Sequence, residues 1–210
     1  MKKLAAMVVG GLLLGAGVGV ATAGSRCEPF QGTLKLAFNP SPTLGDCQGF
    51  DAIKGKERFF EGAVFHYQQL PPGYPLAAPL PLQMCFSGEI SGATLGGRAV
   101  EATSVSALTV NSFPLAGATS CGSVPCPQML TAATVVTVTA TGEPRKDKEL
   151  GQIFLRDTGV LLPATDQRGP LAIEQLIGVG GTKKFSNASV SMEIVGYEFA
   201  GAPVKGTICR

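Results

Sequence analysis

Residues 171–194 read LAIEQLIGVGGTKKFSNASVSMEI, and this stretch shows the pattern that decides the fold class. At its end Val190, Met192 and Ile194 alternate with three polar residues, which is typical of a strand with one buried and one solvated face. At its centre Gly180-Gly181-Thr182 supplies residues that favour a turn. The stretch therefore predicts two strands joined by a turn, the first of them over residues 171–179.

The same period-two alternation recurs along the rest of the chain, whereas helical periodicity is hard to find. Clear alternation covers residues 30–38, 82–90 and 136–141. Weaker strand candidates are residues 60–67, 107–113, 153–156, 160–162 and 202–209. About nine or ten short strands predict an all-β domain, either a single antiparallel β-barrel of about eight strands or a β-sandwich.

The apolar face of each alternating strand is expected to be buried. The predicted interior residues are Phe30, Leu34, Leu36, Met84, Phe86, Val136, Val138, Val190, Met192 and Ile194. Between two of the weaker candidates, Asp157-Thr158-Gly159 is expected to form a turn, because these residues tolerate positive φ or local side-chain hydrogen bonds. Near Gly196 the apolar residues change parity, which predicts a β-bulge.

Residues 173–188, IEQLIGVGGTKKFSNA, resemble a signature of the allene oxide cyclase and dirigent-like barrels, in which a strand runs into Gly-Gly-Thr/Ser-Gly-x-Phe and a second strand follows. Asp157-Thr158-Gly159-Val160-Leu161 and Gly206-Thr207-Ile208-Cys209 resemble bacterial secreted members of the same group. The resemblance covers about residues 150–210 and implies an eight-stranded antiparallel, calycin-type barrel. It implies that the glycines form the bend and that Phe185 closes the barrel end, and it assigns no catalytic residue. Lys183 stands where the family usually has a third glycine.

The first 23 residues have the features of a secretory signal peptide. Met1-Lys2-Lys3 is positively charged, residues 4–20 are apolar, and Ala21-Thr22-Ala23 fits the small-x-small cleavage motif. The glycine-rich apolar stretch is shorter than a membrane span, for which about 20 strongly apolar residues are needed. We therefore expect cleavage after Ala23, a single domain over residues 24–210, no membrane span after cleavage, and a secreted or periplasmic location.

The charge balance argues against nucleic acid as a partner. The full chain has 17 Lys+Arg and 15 Asp+Glu, so loss of Lys2 and Lys3 leaves 15 of each and a formal net charge of zero. Nucleic-acid binding depends on accumulated positive charge.

Gly178-x-Gly180 lacks the third glycine and the following helix of a dinucleotide site, and His66 is the only histidine. No cofactor and no metal are therefore expected, and the oligomeric state is not predicted.

Six cysteines in an exported domain predict three disulfides. Cys121 and Cys126 are expected to close a small loop, because the glycine and the proline between them favour a tight turn.

Two arrangements are open for the other four cysteines. Cys85 and Cys209 both lie on the polar faces of predicted strands, so they are expected to pair across a sheet surface. Cys27 with Cys47 then remains by elimination. A pair of Cys27 with Cys209, which would join the two ends of the domain, is the second possibility.

Three polar residues within apolar strands are the candidate ligand-binding groups: His66, Glu174 and Tyr197. His66 is better explained as a structural histidine than as a general base. Glu174 either lies on a solvated face with Ala172, which is the simpler interpretation, or faces the barrel interior, where burial would raise its pKa. Tyr197 would share that interior, with its hydroxyl as the polar group.

Three functional hypotheses follow, and the sequence leaves open whether the protein is an enzyme. The first is a calycin-like barrel that binds a small apolar molecule. The second is a cofactor-free cyclase-like or dirigent-like enzyme, and the third is a structural envelope or matrix protein. A filled interior would favour the structural role. A cavity of roughly a few hundred Å³ would favour binding, and a buried carboxylate within it would favour the enzyme.

Overall fold

The computed structural model describes residues 26–41, 50–53, 55, 59–60, 83–108, 113–114, 126–142, 148–164 and 166–210. Within them the strands are β1 (Cys27–Ser41), β2 (Gln83–Leu95), β3 (Arg98–Leu108), β4 (Phe113–Pro114), β5 (Gln128–Ala140), β6 (Glu149–Leu162), β7 (Leu171–Gly181), β8 (Ser189–Gly196) and β9 (Ala202–Cys209). Two short 3-10 turns cover Phe50–Ala52 and Lys183–Phe185. The expected signal peptide over residues 1–23 lies outside the described residues.

The strands form one antiparallel sheet that closes on itself. The order around the barrel is β1-β2-β3-β5-β6-β7-β8-β9, and β9 pairs with β1. The pairing of β3 with β5 bypasses β4, which pairs only with the start of β5. Apart from the two-residue β4, neighbours in the chain are thus neighbours in the sheet, as in up-and-down barrels. The predicted eight-stranded antiparallel barrel is confirmed, and the sandwich alternative is wrong because the sheet is closed.

The strand directions distinguish two ends of the barrel. We call the end at which β1 begins and β9 ends the closed end, and the opposite end, at which β1 ends and β2 begins, the open end. The interior near the closed end is filled by large apolar side chains, each at most 1% exposed: Phe30, Val138, Ile153, Phe185 and Ile208.

Most of the predicted interior residues are buried, which confirms the strand registers. A slip of one residue would have placed them on the outer face. The buried members are Phe30, Leu34, Val136, Val138, Val190, Met192 and Ile194. Leu36 and Phe86 are half-buried and line the cavity that is described below. The side chain of Met84 lies outside the described part of the chain.

Two local predictions are wrong. Asp157-Thr158-Gly159 is not a turn, because it lies in the middle of β6, which pairs with β5 on one side and β7 on the other. Those two pairings satisfy the backbone, so turn-favouring residues are held extended. At Gly196 the change of parity marks the end of β8 rather than a bulge. The chain then turns, and the N–H of Gly201 donates to the carbonyl of Tyr197 at 2.8 Å.

A second, smaller core lies outside the barrel. Its apolar members are Phe50, Ile53 and Phe60, which pack on the outward side chains of Val105, Ala107, Ala133 and Val135. The buried amide of Gln152 also donates to the carbonyl of Ala52 at 3.0 Å. This layer explains why β5 is apolar on both faces: its inner face lines the barrel and its outer face lies under the second core.

The turn from β7 to β8 places Phe185 inside the closed end, as expected. Gly181 allows the close approach that this requires, since a Cβ there would lie 2.5 Å from the carbonyl oxygen of Phe185. Lys183 has a φ of +49°, in the left-handed region that favours glycine. The position at which the resembling family usually has glycine is therefore one that a glycine would occupy without strain.

Cys27 and Cys209 form a disulfide across the paired ends of β1 and β9. This is the second of the two possibilities for Cys27. The expected pairs Cys85–Cys209 and Cys27–Cys47 are therefore wrong, because each cysteine forms one disulfide. The cause is register, which places Cys27 directly opposite Cys209. Cys126 is also disulfide-bonded, and its expected partner lies outside the described residues.

Candidate functional site

A cavity of about 330 Å³ lies inside the barrel toward the open end. All eight barrel strands contribute side chains to its wall, as do the segment before β7 and the turn between β8 and β9. The volume falls in the range of about 300–1,000 Å³ that is usual for small-molecule sites, and barrel mouths are a common place for such sites.

One half of the cavity wall is apolar. It is formed by β8, β9, β1 and β2, which are consecutive around the barrel. Among their described side chains, those that line the wall are all apolar: Met192, Ile194, Val204, Leu34, Leu36, Phe86 and Ile90. Phe199, in the turn after β8, packs against Phe86 with 6.1 Å between the ring centroids. This half of the wall suits a hydrocarbon or aromatic group.

The opposite half carries a row of polar side chains that we call the polar stripe. Its members are Ser104, Ser106, Thr134, Asp157, Glu174 and Glu198. Strand register brings them together: Ser106 lies opposite Thr134, and Glu174 lies opposite Gly159, two residues from Asp157. Glu198 continues the stripe from the turn between β8 and β9.

Thr134 connects Ser106 with Asp157. Its hydroxyl oxygen lies 2.7 Å from Oγ of Ser106 and is also hydrogen-bonded to Oδ2 of Asp157. A hydroxyl group has one hydrogen to donate. When Asp157 is ionised, Thr134 donates to it and Ser106 donates to Thr134. When Asp157 is protonated, both bonds can reverse, so the two hydroxyls can follow the protonation state of the acid.

Burial raises the pKa of all three carboxyl groups. The pKa of Asp157 rises from 3.8 to about 7, because burial outweighs the hydrogen bond from Thr134 and the charge of Glu198 adds to the effect. Burial likewise raises the pKa of Glu198 from 4.5 to about 7. The pKa of Glu174 lies well above 4.5, owing to burial and to the charges of Glu198 and Asp157. Asp157 and Glu198 are therefore protonated in part at neutral pH.

Glu174 and Glu198 are hydrogen-bonded to each other. Two carboxyl groups in contact do not both ionise readily, so they share a proton. The bond raises the pKa of Glu174 and lowers that of Glu198. The pair thus combines an acid that holds its proton more tightly than an ordinary glutamate with a group whose pKa is about 7.

Three buried polar oxygens of the stripe have no hydrogen-bond partner within the described structure: Ser104 Oγ, Asp157 Oδ1 and Glu174 Oε1. Their residues are only 4%, 6% and 7% exposed. A buried polar atom without a partner costs about 1–3 kcal/mol. Three of them on one cavity wall can form hydrogen bonds with a polar group that enters the cavity.

Gly159 leaves the space that Glu174 occupies. A Cβ at Gly159 would lie 2.8 Å from Cγ of Glu174 and 2.3 Å from the carbonyl oxygen of Ile173. Because β6 and β7 are paired here, the backbone cannot move aside. The glycine that suggested a turn in the sequence thus makes room for an acid that lines the cavity.

In the part of the cavity wall that the structure describes, the acids of the stripe have no cationic partner. Among the residues that the structure describes, none that lines the cavity is Lys, Arg or His. Arg156, next to Asp157 in the chain, faces outward: its guanidinium lies 4.6 Å from the ring centroid of Phe59 and donates to the Phe59 carbonyl. No three His, Cys, Asp or Glu side chains in the described ranges are placed to hold a metal ion.

The structure places the three candidate residues differently. Glu174 faces the cavity, so the simpler expectation that it lies on a solvated face with Ala172 is wrong. Both are buried, while Ile173 and Ile177 on the other face of β7 are 46% and 45% exposed.

Tyr197 does not line the cavity. Its ring lies 3.8 Å from the guanidinium of Arg168, and its hydroxyl accepts a hydrogen bond from the same group. His66 lies outside the described residues.

Sequence reasoning missed Asp157, Glu198, Thr134 and the two serines. A signal existed for Asp157, which has the same parity as Ile153 and Leu155 and so continues the inner face of β6. Glu198 follows the end of a strand, where parity no longer indicates orientation.

No protein-family model matches the sequence, and no curated protein or solved structure matches it either. Across the described ranges, no helix has the length and apolar character needed to cross a bilayer. A fold alone does not define a function, so the functional argument depends on the cavity.

Proposed function

We propose that this protein binds a small, largely apolar molecule inside the barrel, without a metal or a nucleotide. The observation that carries the proposal is the 330 Å³ cavity, whose apolar half faces a stripe with three unpaired polar oxygens. An apolar body held by contact, with a few polar groups to fix its orientation, is the usual arrangement in small-molecule sites. A structural role, which a filled interior would have favoured, has less support from this geometry.

Location and family belong to the same proposal. The features of residues 1–23 support export to the periplasm or the exterior, and a disulfide between Cys27 and Cys209 is compatible with an oxidising compartment. The relation to allene oxide cyclase and dirigent-like barrels stays a proposal that depends on residues 150–210.

A cofactor-free enzyme is the second candidate, and the polar stripe favours it specifically. Burial raises the pKa of Glu174 well above its ordinary value, while Asp157 and Glu198 have pKa values of about 7. Groups with these pKa values are suited to donate and accept protons near pH 7. Recovery of a bound ligand in chemically changed form would distinguish the enzyme from the binding protein.

Binding should be detectable with N-phenyl-1-naphthylamine, a neutral apolar dye that fluoresces in apolar surroundings. At roughly 0.3–0.5 kcal/mol for each non-hydrogen atom, we expect a Kd between about 1 and 200 µM. Ala132→Leu adds apolar volume to the cavity wall and should weaken binding about tenfold or more. Fluorescence titration of both proteins measures this.

Ala37→Leu is the matched control, because Ala37 is exposed on the outer face of β1. It should leave dye binding unchanged. Equal loss of binding in the two variants would place the dye outside the barrel, and no binding by the wild type would contradict the proposal.

A further inference from the structure

We propose that the ligand of the cavity carries a protonated amine at one end of its apolar body. This inference depends on the proposed function, because it identifies the chemical class of a ligand that binds in the same cavity. The placement of buried acceptors opposite an apolar wall is the observation behind it.

The first step is the hydrogen-bonding capacity of the stripe. Ser104 Oγ, Asp157 Oδ1 and Glu174 Oε1 are buried, line one cavity and lack partners in the described structure. A primary ammonium group has three N–H donors and no acceptor, and each of these oxygens can accept a hydrogen bond from it. A carboxylate or phosphate ligand would instead place a second negative charge beside Asp157 and Glu198 whenever these acids are ionised.

The second step is charge. Transfer of a carboxylate out of water is costly unless a cation accompanies it. The described wall of the cavity provides no Lys, Arg or His, and Arg156 is turned to the outer face. A cationic ligand would supply the missing partner for Asp157 and Glu198.

The third step is shape. The polar groups lie on β3, β5, β6, β7 and the turn after β8, whereas the described side chains that β8, β9, β1 and β2 direct into the cavity are apolar. A metal ion or a small inorganic cation would leave that apolar half without a partner. An amine with a hydrocarbon or aromatic body uses both halves.

Amine binding should depend on pH through the groups that face the cavity. In the described structure the titratable ones are Asp157 on β6, Glu174 on β7 and Glu198 after β8. The polar groups that β3 and β5 direct into the cavity are the hydroxyls of Ser104, Ser106 and Thr134 and the amide of Gln128, none of which titrates. The described side chains that β1, β2, β8 and β9 direct into the cavity are apolar. An alkylammonium stays charged up to about pH 10, as lysine does. Its affinity should therefore fall as the acids become protonated below pH 7.

Three eight-carbon compounds with different head groups test the inference on the purified protein. Calorimetric titration with octylamine, 1-octanol and octanoate at pH 7.5 should give octylamine the lowest Kd. We expect it to bind at least tenfold more tightly than octanol and at least a hundredfold more tightly than octanoate. Between pH 7.5 and 5.5 the affinity for octylamine should fall about tenfold or more, and that for octanol should not change.

Asp157→Asn should weaken octylamine binding at least tenfold and change octanol binding less than twofold. Glu193→Gln, an exposed position on the outer face of β8, is the matched control and should change neither. Octanol or octanoate binding as tightly as octylamine would overturn the amine inference and leave cavity binding intact. Failure of all three while N-phenyl-1-naphthylamine binds would overturn it too, and failure of every probe would refute the proposed function itself.

Discussion

At pH 8 the Asp157→Asn variant is expected to have a free energy of unfolding up to about 4 kcal/mol higher than that of the wild type. The pKa of Asp157 is about 7 in the folded protein instead of 3.8, and each pKa unit corresponds to about 1.36 kcal/mol. Above pH 7 the wild type must hold a buried carboxylate, whereas the amide of the variant stays neutral. The gain would show that the acid is kept at a cost to stability, as functional groups often are.

The pH dependence of this gain has a definite sign. A raised pKa means that the folded protein binds the proton more tightly than the unfolded chain. The stability that protonation provides is therefore present below about pH 4 and is lost as the pH rises through about 7. The gain in Asp157→Asn should accordingly shrink as the pH falls and vanish near pH 4. Urea unfolding at pH 4, 6 and 8 measures it.

Glu193→Gln is the control for a general charge effect, since it removes an exposed carboxylate from β8. It should alter stability by less than about 0.5 kcal/mol at any of these pH values. If Asp157→Asn were less stable than the wild type at pH 8, burial would not be the dominant influence on this acid.

Loss of the Cys27–Cys209 disulfide has the second large expected effect. The double variant Cys27→Ser/Cys209→Ser should lower the free energy of unfolding by about 2–5 kcal/mol. The bridge joins residues 182 positions apart, so it restricts the unfolded chain over almost the whole domain. Urea unfolding under oxidising conditions provides the comparison.

The folded barrel should survive this change, because β9 pairs along its whole length with the first eight residues of β1. Circular dichroism of the double variant should thus match that of the wild type in the absence of urea. A loss of stability below about 1 kcal/mol would show that the unfolded chain gains little freedom. A loss of the β-sheet spectrum would show that the bridge is needed for the fold itself.

The barrel could be predicted because most strands have one wet and one dry face. Val190, Met192 and Ile194 are buried as expected, and the polar residues between them are exposed. Hydrophobic alternation gives a wrong prediction where a strand does not have one polar and one apolar face. β6 contains Asp157 and Gly159 at inner positions, and the sequence of a paired central strand was therefore interpreted as a turn.

The candidate site was harder to predict because one of its strands reverses the usual placement of apolar residues inside and charged residues outside. On β7 the inner face carries Glu174 and the outer face carries Ile173 and Ile177. Hydrophobic alternation assigns a buried acid to the solvent and an exposed isoleucine to the core. Only the pairing of β7 with β6 and β8 fixes which face is inside.

The disulfide connectivity shows a different limit. Cys85 and Cys209 lie on the polar faces of predicted strands, which is compatible with a disulfide between them. A disulfide across a sheet also requires that the two strands be neighbours. Barrel closure brings the first and last strands together and places Cys27 opposite Cys209. That contact joins the two ends of the domain, and no local pattern in the sequence specifies it.

The most direct test of the acidic cavity is a carboxyl ¹³C NMR titration of the wild-type protein from pH 3 to 9. Resonances are assigned with the variants Asp157→Asn, Glu174→Gln and Glu198→Gln. We expect Asp157 and Glu198 to titrate with midpoints near 7, and the pKa of Glu174 to lie well above its ordinary value. Midpoints between about 3 and 5 for all three groups would show that they are solvated, and would contradict a buried acidic wall facing the cavity.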